Sequence, residues 1–259
     1  MQASPVPAAC ERIMFTVRQG LQAVQTRIAA AAAAAGRDPR SIELLAVSKT
    51  FPASAVLEAI DAGQLAFGEN YAQEGIEKRA RVEDLLRARA GGPGATIGAA
   101  MPAVRWHFIG PIQSNKTRLI AEHFDWVHSV DRLKIAQRLS EARPPQAPAL
   151  QVCIQVNVSG EQTKSGVAPQ ELHALATSVR GLPRLHLRGL MTIPRPAVEF
   201  GEQRAQLRAL RMLRDELARR GVVLDTLSMG MSDDLEAAIA EGATLVRVGR
   251  AIFGERMTR

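Results

Sequence analysis

Apolar side chains recur at Ile13, Val17, Leu21, Val24 and Ile28, the three-to-four spacing of one helical face, and predict a helix over residues 8–35. Gly36 is its expected C-cap, and Asp38-Pro39 its stop. The pattern then changes to short runs rich in β-branched residues at 42–50, 65–70, 104–110, 126–130, 150–158, 185–193, 226–230 and 244–249. Helical stretches separate them at 53–62, 72–90, 116–124, 132–142, 169–180, 199–220 and 233–241. Parallel strands need crossovers of this kind, so strands parted by helices throughout a chain of 259 residues predict an α/β fold, a single (β/α)8 TIM-type barrel with an extra N-terminal helix. A doubly wound open sheet is the runner-up. Residues 89–102, RAGGPGATIGAAMP, are too rich in Gly, Ala and Pro to hold a firm element and read as a flexible insertion before the third strand. Residues 1–9 read as a flexible start, leaving 10–256 as the barrel.

Composition narrows the classes. Hydrophobic content of 46% with 23% charged residues is that of a folded globular chain. No apolar run approaches a membrane span, and the first fifteen residues lack a basic segment followed by an apolar one, so no membrane association and a cytoplasmic address are expected. Cys10 and Cys153 offer neither a disulfide framework nor metal-ligand spacing and read as free thiols. The net charge of +7 permits a nucleic-acid reading. The basic residues, however, are mostly arginines interleaved with acids along helix faces, and one Tyr and two Trp leave little surface for base stacking, so no nucleic-acid partner is expected.

In a barrel, functional groups gather at the C-terminal ends of the strands, with phosphate often held after the seventh and eighth. The first strand ends in Ser48-Lys49-Thr50, and alternation places Lys49 on the face of Leu45 and Val47. A lone lysine at a strand end commonly snorkels to solvent. Only five of the 33 basic residues are lysines, though, and a partly desolvated amine can form a Schiff base, which a guanidinium cannot. After the seventh strand comes SMGMSDDLEAAI. Ser228 and Gly230 precede Ser232, the expected N-cap, with Asp233, Asp234 and Glu236 in the first helical turn. After the eighth, Gly249 lets the backbone come close and Arg250 opens the last helix. The two helix starts can cradle a phosphate, unless the acids of the first face it. Arg247 lies inside its strand, where a guanidinium needs a partner: a structural ion pair, or an acceptor atom of a ligand. An amine for a carbonyl, a cradle for a phosphate and an arginine for a ring acceptor together suit pyridoxal 5'-phosphate (PLP).

The segments AVSKTFP (46–52), FGENYAQE (67–74), WHFIGPIQSNK (106–116), VNVSGEQTKSG (156–166), RGLMTIP (188–194) and LSMGMSDDLEAAIAEGATLVRVGRAIFG (227–254) closely resemble the pyridoxal phosphate homeostasis protein family, itself similar to the N-terminal barrel of alanine racemases. The resemblance covers nearly the whole chain. It implies a PLP-binding barrel with PLP held as a Schiff base on Lys49, Arg247 facing the pyridine nitrogen, and Ser228, Gly230, Gly249 and Arg250 surrounding the phosphate, largely through backbone groups. Asn70 and Met191 match positions lining the pocket, and His107 is open between covering a cofactor face and packing. The 89–102 insertion looks longer than the family pattern. An arginine at the pyridine nitrogen leaves that nitrogen unprotonated and the ring a poor electron sink, which disfavours deep carbanion chemistry.

The resemblance therefore implies a PLP carrier supplying apo PLP-dependent enzymes, not an enzyme, with an amino-acid racemase of low or specialised activity as the alternative. A PLP-free barrel enzyme acting on a phosphorylated substrate is a more remote one. Alanine racemases draw a catalytic tyrosine from a C-terminal β domain of a partner subunit. Here the chain ends shortly after its last barrel motif, so that domain is not expected and a monomer is favoured. Tyr71, the sole tyrosine, reads as a packing residue at a helix start.

Overall fold

The computed structural model describes residues 16–90, 102–161 and 165–255. The expected flexible start, the body of the 89–102 insertion, Cys10 and residues 162–164 of the VNVSGEQTKSG segment lie outside the described residues.

Helix α1 spans Val17–Ala34 with Thr16 as its N-cap, Thr16 Oγ1 accepting from Gln19 N–H at 3.2 Å and Gln19 Oε1 from Thr16 N–H at 3.0 Å; residues 8–15 of the predicted helix lie outside the described residues. Its buried stripe, Val17, Leu21, Val24 and Ile28, is the predicted one. Each such side chain contributes about 1.5–3 kcal/mol on burial, and Leu21→Ala would cost about 2–5 kcal/mol.

Strands β1 (Glu43–Val47), β2 (Ala66–Glu69), β3 (Arg105–Phe108), β4 (Trp126–Val130), β5 (Leu150–Gln155), β6 (Leu185–Met191), β7 (Thr226–Ser228) and β8 (Leu245–Val248) pair in parallel, each with the next, and β8 closes on β1. The barrel is closed, and the open-sheet alternative is excluded. The intervening helices are α2 (Ala53–Asp61), α3 (Ala72–Ala90), α4 (Thr117–His123), α5 (Leu133–Ala142), α6 (Leu172–Arg180), α7 (Phe200–Arg219) and α8 (Leu235–Ala240), with α9 (Arg250–Phe253) following β8. Because α9 is a single turn, α1 fills the remaining sector of the outer ring, packing on α2, α8 and α9. Arg27 ties it there through Glu236 and the Ser232 carbonyl. Among the described residues no helix is long and apolar enough to cross a membrane.

Alternation sorts each strand's side chains. Ala46, Val127, Ile154, Leu190, Leu227 and Val246 face the helices in the main core. The other face fills the barrel. Leu45, Ala66 and Leu245 form one inner cluster on the β8–β1–β2 wall, and Trp126, Cys153 and Met191 another on the β4–β5–β6 wall.

Candidate functional site

Lys49, Gly249 with Arg250, and Gly230 stand on the segments after β1, β8 and β7, three neighbours around the barrel. β1 stops at Val47, so Lys49 does not continue the strand face of Leu45 and Val47. It sits in a turn that Phe51 N–H closes onto the Ser48 carbonyl at 3.0 Å, and its side chain is half-buried. Thr50, the third residue of this turn, has φ +69°, a conformation that glycine takes freely and β-branched residues avoid. Stacking of Phe51 on Phe253, centroids 5.1 Å apart, joins the turn to α9.

Arg247 points into the barrel and is 4% exposed. Three of its five N–H groups go to neutral oxygens: Nη1 donates to Ser228 O at 2.6 Å and Ser228 Oγ at 2.8 Å, and Nη2 to Thr192 O at 2.8 Å. Among the described residues no carboxylate forms an ion pair with it, and its partners are these neutral oxygens. Burial pulls its pKa down to about 10 against the field of Asp234, so it remains a cation at neutral pH.

Ser228 is fully buried, its hydroxyl shared between Arg247 and His128 Nδ1 at 2.8 Å. His128 Nε2 in turn meets His107 Nδ1 at 2.9 Å. Burial holds both imidazoles neutral, pushing His128 down to about 3 and His107 well below its ordinary value. A chain of neutral hydrogen-bonding groups thus crosses the barrel interior from β3 to β8. His107 stacks on Trp126, ring centroids 5.3 Å apart, so its packing role is filled, and its Nε2 is buried without a hydrogen-bond partner among the described residues.

The other expected residues scatter around this axis. Gly230 has φ +95°, and its carbonyl accepts from Arg247 N–H at 2.9 Å. A Cβ there would lie 2.5 Å from that of Ala238, so only glycine lets the β7–α8 loop turn back this tightly. Gly249 is the N-cap of α9, and Arg250, its first residue, is exposed beside Asp233 at 3.8 Å. Ser232 does not cap α8. The helix starts after Asp234, whose Oδ1 accepts from Met231 N–H at 2.6 Å, and of the three acids expected in the first turn only Glu236 is there. Asn70 Oδ1 is buried with no partner among the described residues, and its backbone is held where Gly110 packs on it. Met191, the last residue of β6, lies fully buried against Trp126 and Cys153. Tyr71, expected to pack, is instead 59% exposed. A cavity of about 750 Å³ opens to one side, between the β6–α7 loop and Met231, Asp233 and Asp234; neither Lys49 nor Arg247 lines it.

Sequence reasoning missed His128 and the Ser228 link. The signal was present in alternation, which puts His107 and His128 on the inward faces of adjacent strands. Missed too were Glu69, Glu74 and Lys78, which surround the Lys49 turn: Lys78 Nζ donates to Ser48 O at 2.6 Å, Glu69 Oε1 at 2.7 Å and Glu74 Oε1 at 3.0 Å. Among the described residues no group of His, Cys, Asp and Glu could hold a metal.

A sequence profile of the alanine racemase N-terminal domain matches residues 20–257. The pyridoxal phosphate homeostasis protein of Pseudomonas aeruginosa is 58% identical over 94% of this chain and 97% of its own. The chain belongs to the pyridoxal phosphate homeostasis protein family. Another similar protein is PipY of Synechococcus elongatus, whose structure with PLP bound superposes with a TM-score of 0.76 at 35% identity, covering 92% of this chain and all of that one (100%). An alanine racemase from Corynebacterium glutamicum shares the barrel, with a TM-score of 0.62 over 92% of this chain and 62% of its own, at 18% identity, a likeness of fold alone. In this member of the homeostasis protein family, the barrel that carries the Lys49 turn and the buried Arg247 is a fold shared with both proteins.

Proposed function

We propose that the chain binds PLP on Lys49 and serves as a carrier that keeps the free aldehyde low and supplies PLP to apo PLP-dependent enzymes in the cytoplasm, acting as a monomer. The observation that carries this reading is Arg247, a buried guanidinium whose charge no carboxylate among the described residues pairs with, on the strand next to the one whose following turn presents Lys49. The naming of the Pseudomonas aeruginosa relative and the PLP bound to PipY support it.

The residues present fit this group. Arg247 has N–H capacity beyond its three protein bonds and offers a donor to a ring nitrogen. Asn70 Oδ1, without a partner among the described residues, and the half-buried Lys49 lie at the ends of neighbouring strands. Gly249 and Arg250 open α9, and the first N–H groups of a helix, which have no partner within it, suit a phosphate flanked by Arg250. When bound, PLP would supply a reactive aldehyde on an electron-withdrawing ring. Lys49 would provide the amine that holds the aldehyde. Arg247, a cation at neutral pH, would donate to the ring nitrogen and keep its own proton, so the ring would withdraw electrons weakly. The Ser228–His128–His107 chain holds the guanidinium in place and carries no charge of its own.

A racemase needs a second base opposite Lys49. Tyr71 is largely exposed before α3, and His107 is locked against Trp126, so neither is posed for it. The test is the visible absorption spectrum of the purified protein, followed by borohydride reduction and peptide mass mapping, with Lys49→Ala as control. A band lost in the variant and an adduct on the Lys49 peptide are expected. No band after incubation with PLP, or an adduct spread over surface lysines, would overturn the reading. Turnover of free amino acids by the loaded protein at enzymatic rates would replace the carrier with the racemase.

A further inference from the structure

The segment FGENYAQE contributes more than Asn70. Glu69 ends β2, Glu74 lies in the first turn of α3 and Lys78 one turn later, and all three converge on the two residues that flank Lys49. Lys78 Nζ donates to the Ser48 carbonyl, the acceptor that also closes the turn, and to both carboxylates. Ser48 Oγ donates to Glu69 Oε1 at 2.7 Å, and Thr50 N–H donates to Glu74 Oε1. The Ser48 carbonyl, the Ser48 hydroxyl and the Thr50 N–H, on either side of Lys49, are thus held by one ionic cluster, with Lys78 and Glu69 at 7% and 0% exposure and Glu74 partly exposed. Held in the same place is the left-handed Thr50, a strained conformation that persists only when surroundings over-determine it. Such a device is unneeded if the lysine merely reaches into solvent, because a long flexible side chain finds water from any backbone.

We infer that Glu69, Glu74 and Lys78 are positioning residues that fix the backbone of the 48–51 turn, and so aim the Lys49 amine at its carbonyl partner. None of them touches the reacting atoms. This rests on the proposed use of Lys49 as an amine nucleophile. Misplacing a reacting group by about 1 Å can cost around 100-fold in rate, so loosening this turn acts on reactivity at Lys49 before it acts on the fold.

The experiment compares full-length wild type, Glu74→Ala, Glu74→Gln and Lys78→Met. Glu74 is partly exposed, so its variants retain the fold even if Lys78→Met does not. Glutamine keeps an oxygen that accepts from Thr50 N–H, whereas alanine does not. Two readouts are used. One is the rate at which trinitrobenzenesulfonate modifies Lys49 in the PLP-free protein, mapped by peptide mass spectrometry against Lys116 and Lys134 in the same sample. The other is the visible circular dichroism of the PLP band, which reports a fixed orientation of the chromophore and not merely its presence. Glu74→Ala is expected to change the Lys49 rate about tenfold with the reference lysines unmoved, and to flatten the dichroism. Glu74→Gln restores both. Equal Lys49 rates and equal dichroism in wild type and Glu74→Ala would overturn the inference. Should wild type form no PLP band, the cofactor reading fails while the labelling rates still decide whether the cluster aims Lys49.

Discussion

Arg247 and Lys78 are both buried cations, at 4% and 7% exposure, and the protein compensates them in opposite ways. Lys78 lies between two carboxylates, Glu69 and Glu74, at 2.7 and 3.0 Å. Arg247 is surrounded by two carbonyls, a hydroxyl and a neutral imidazole, and the acid whose field reaches it, Asp234, spends Oδ1 on the Met231 N–H. Burying a charge is costly unless it is paired, so the first arrangement is what a structural cation requires. The second leaves charge and hydrogen-bond capacity unspent inside the barrel. The difference separates a cation that serves the fold from one kept ready for an acceptor from outside.

Replacing each cation by methionine tests the distinction most sharply. Lys78→Met strands Glu69 in the interior, where burial already holds its carboxyl above the ordinary range, and should cost about 3–5 kcal/mol in urea unfolding. Arg247→Met removes a charge no acid depends on and leaves two carbonyls short of donors, a loss of about 1–3 kcal/mol. For PLP affinity, measured by titrating the visible band, Arg247→Met should lose roughly 10- to 100-fold, the worth of a hydrogen bond from a charged group. Equal destabilisation by the two substitutions would erase the distinction.

The sequence made the barrel legible because alternation of strand and helix is a local signal repeated all along the chain. Lys49 and Arg247 were legible for a related reason: each is a charge within an apolar run, visible without knowing what packs on it. The environments of both were not. Glu69 and Lys78 carry no signal of their own in the sequence, since nothing local shows that β2 and α3 fold them under the Ser48 carbonyl. The link from His128 to Ser228 joins residues far apart in the chain, across the barrel, which no periodicity reveals. Helix ends misled for a physical reason too. Ser232 has the right chemistry for a cap, but Asp234 takes the Met231 N–H, and the loop pinned by Gly230 delays the helix until Leu235.

Glu241 extends the comparison with the signs exchanged. It is a buried carboxylate, 1% exposed, that accepts from Arg204, Arg208 and Arg211 of α7, and those three guanidinia hold its pKa at about 2, against an ordinary 4.5. A depressed folded pKa means stability fully present above about pH 4.5 and lost as pH falls toward 2. Glu69, held above its ordinary range, has the opposite sign, its contribution falling as pH rises through its folded value. Glu241→Gln should therefore cost about 2 kcal/mol at pH 7, and the gap to wild type should close as pH approaches 2. A gap independent of pH would mean the three arginines do not stabilise the charge.

Arg250 supplies the smallest effect and the cleanest separation. Like Arg247 it is assigned to the proposed site, but its side chain is 68% exposed, and its one ion pair, with Asp233 at 3.8 Å, is solvated on both sides. Exposed pairs of this kind contribute less than about 1 kcal/mol, because water screens the charges and two flexible side chains must be ordered to meet. Arg250→Ala should leave urea unfolding within about 0.5 kcal/mol of wild type. If the N–H groups of α9 hold the phosphate and Arg250 only flanks it, PLP affinity should fall a few-fold, and the loss should shrink as salt rises, since exposed charges are screened over about 10 Å at 0.1 M. A loss as large as that of Arg247→Met would move the main anion contact from the backbone of α9 to this side chain. With Lys78, Arg247 and Arg250 measured together, stability and affinity should rank the three cations in different orders. That outcome is what distinguishes charges the barrel needs for itself from charges it holds for a ligand.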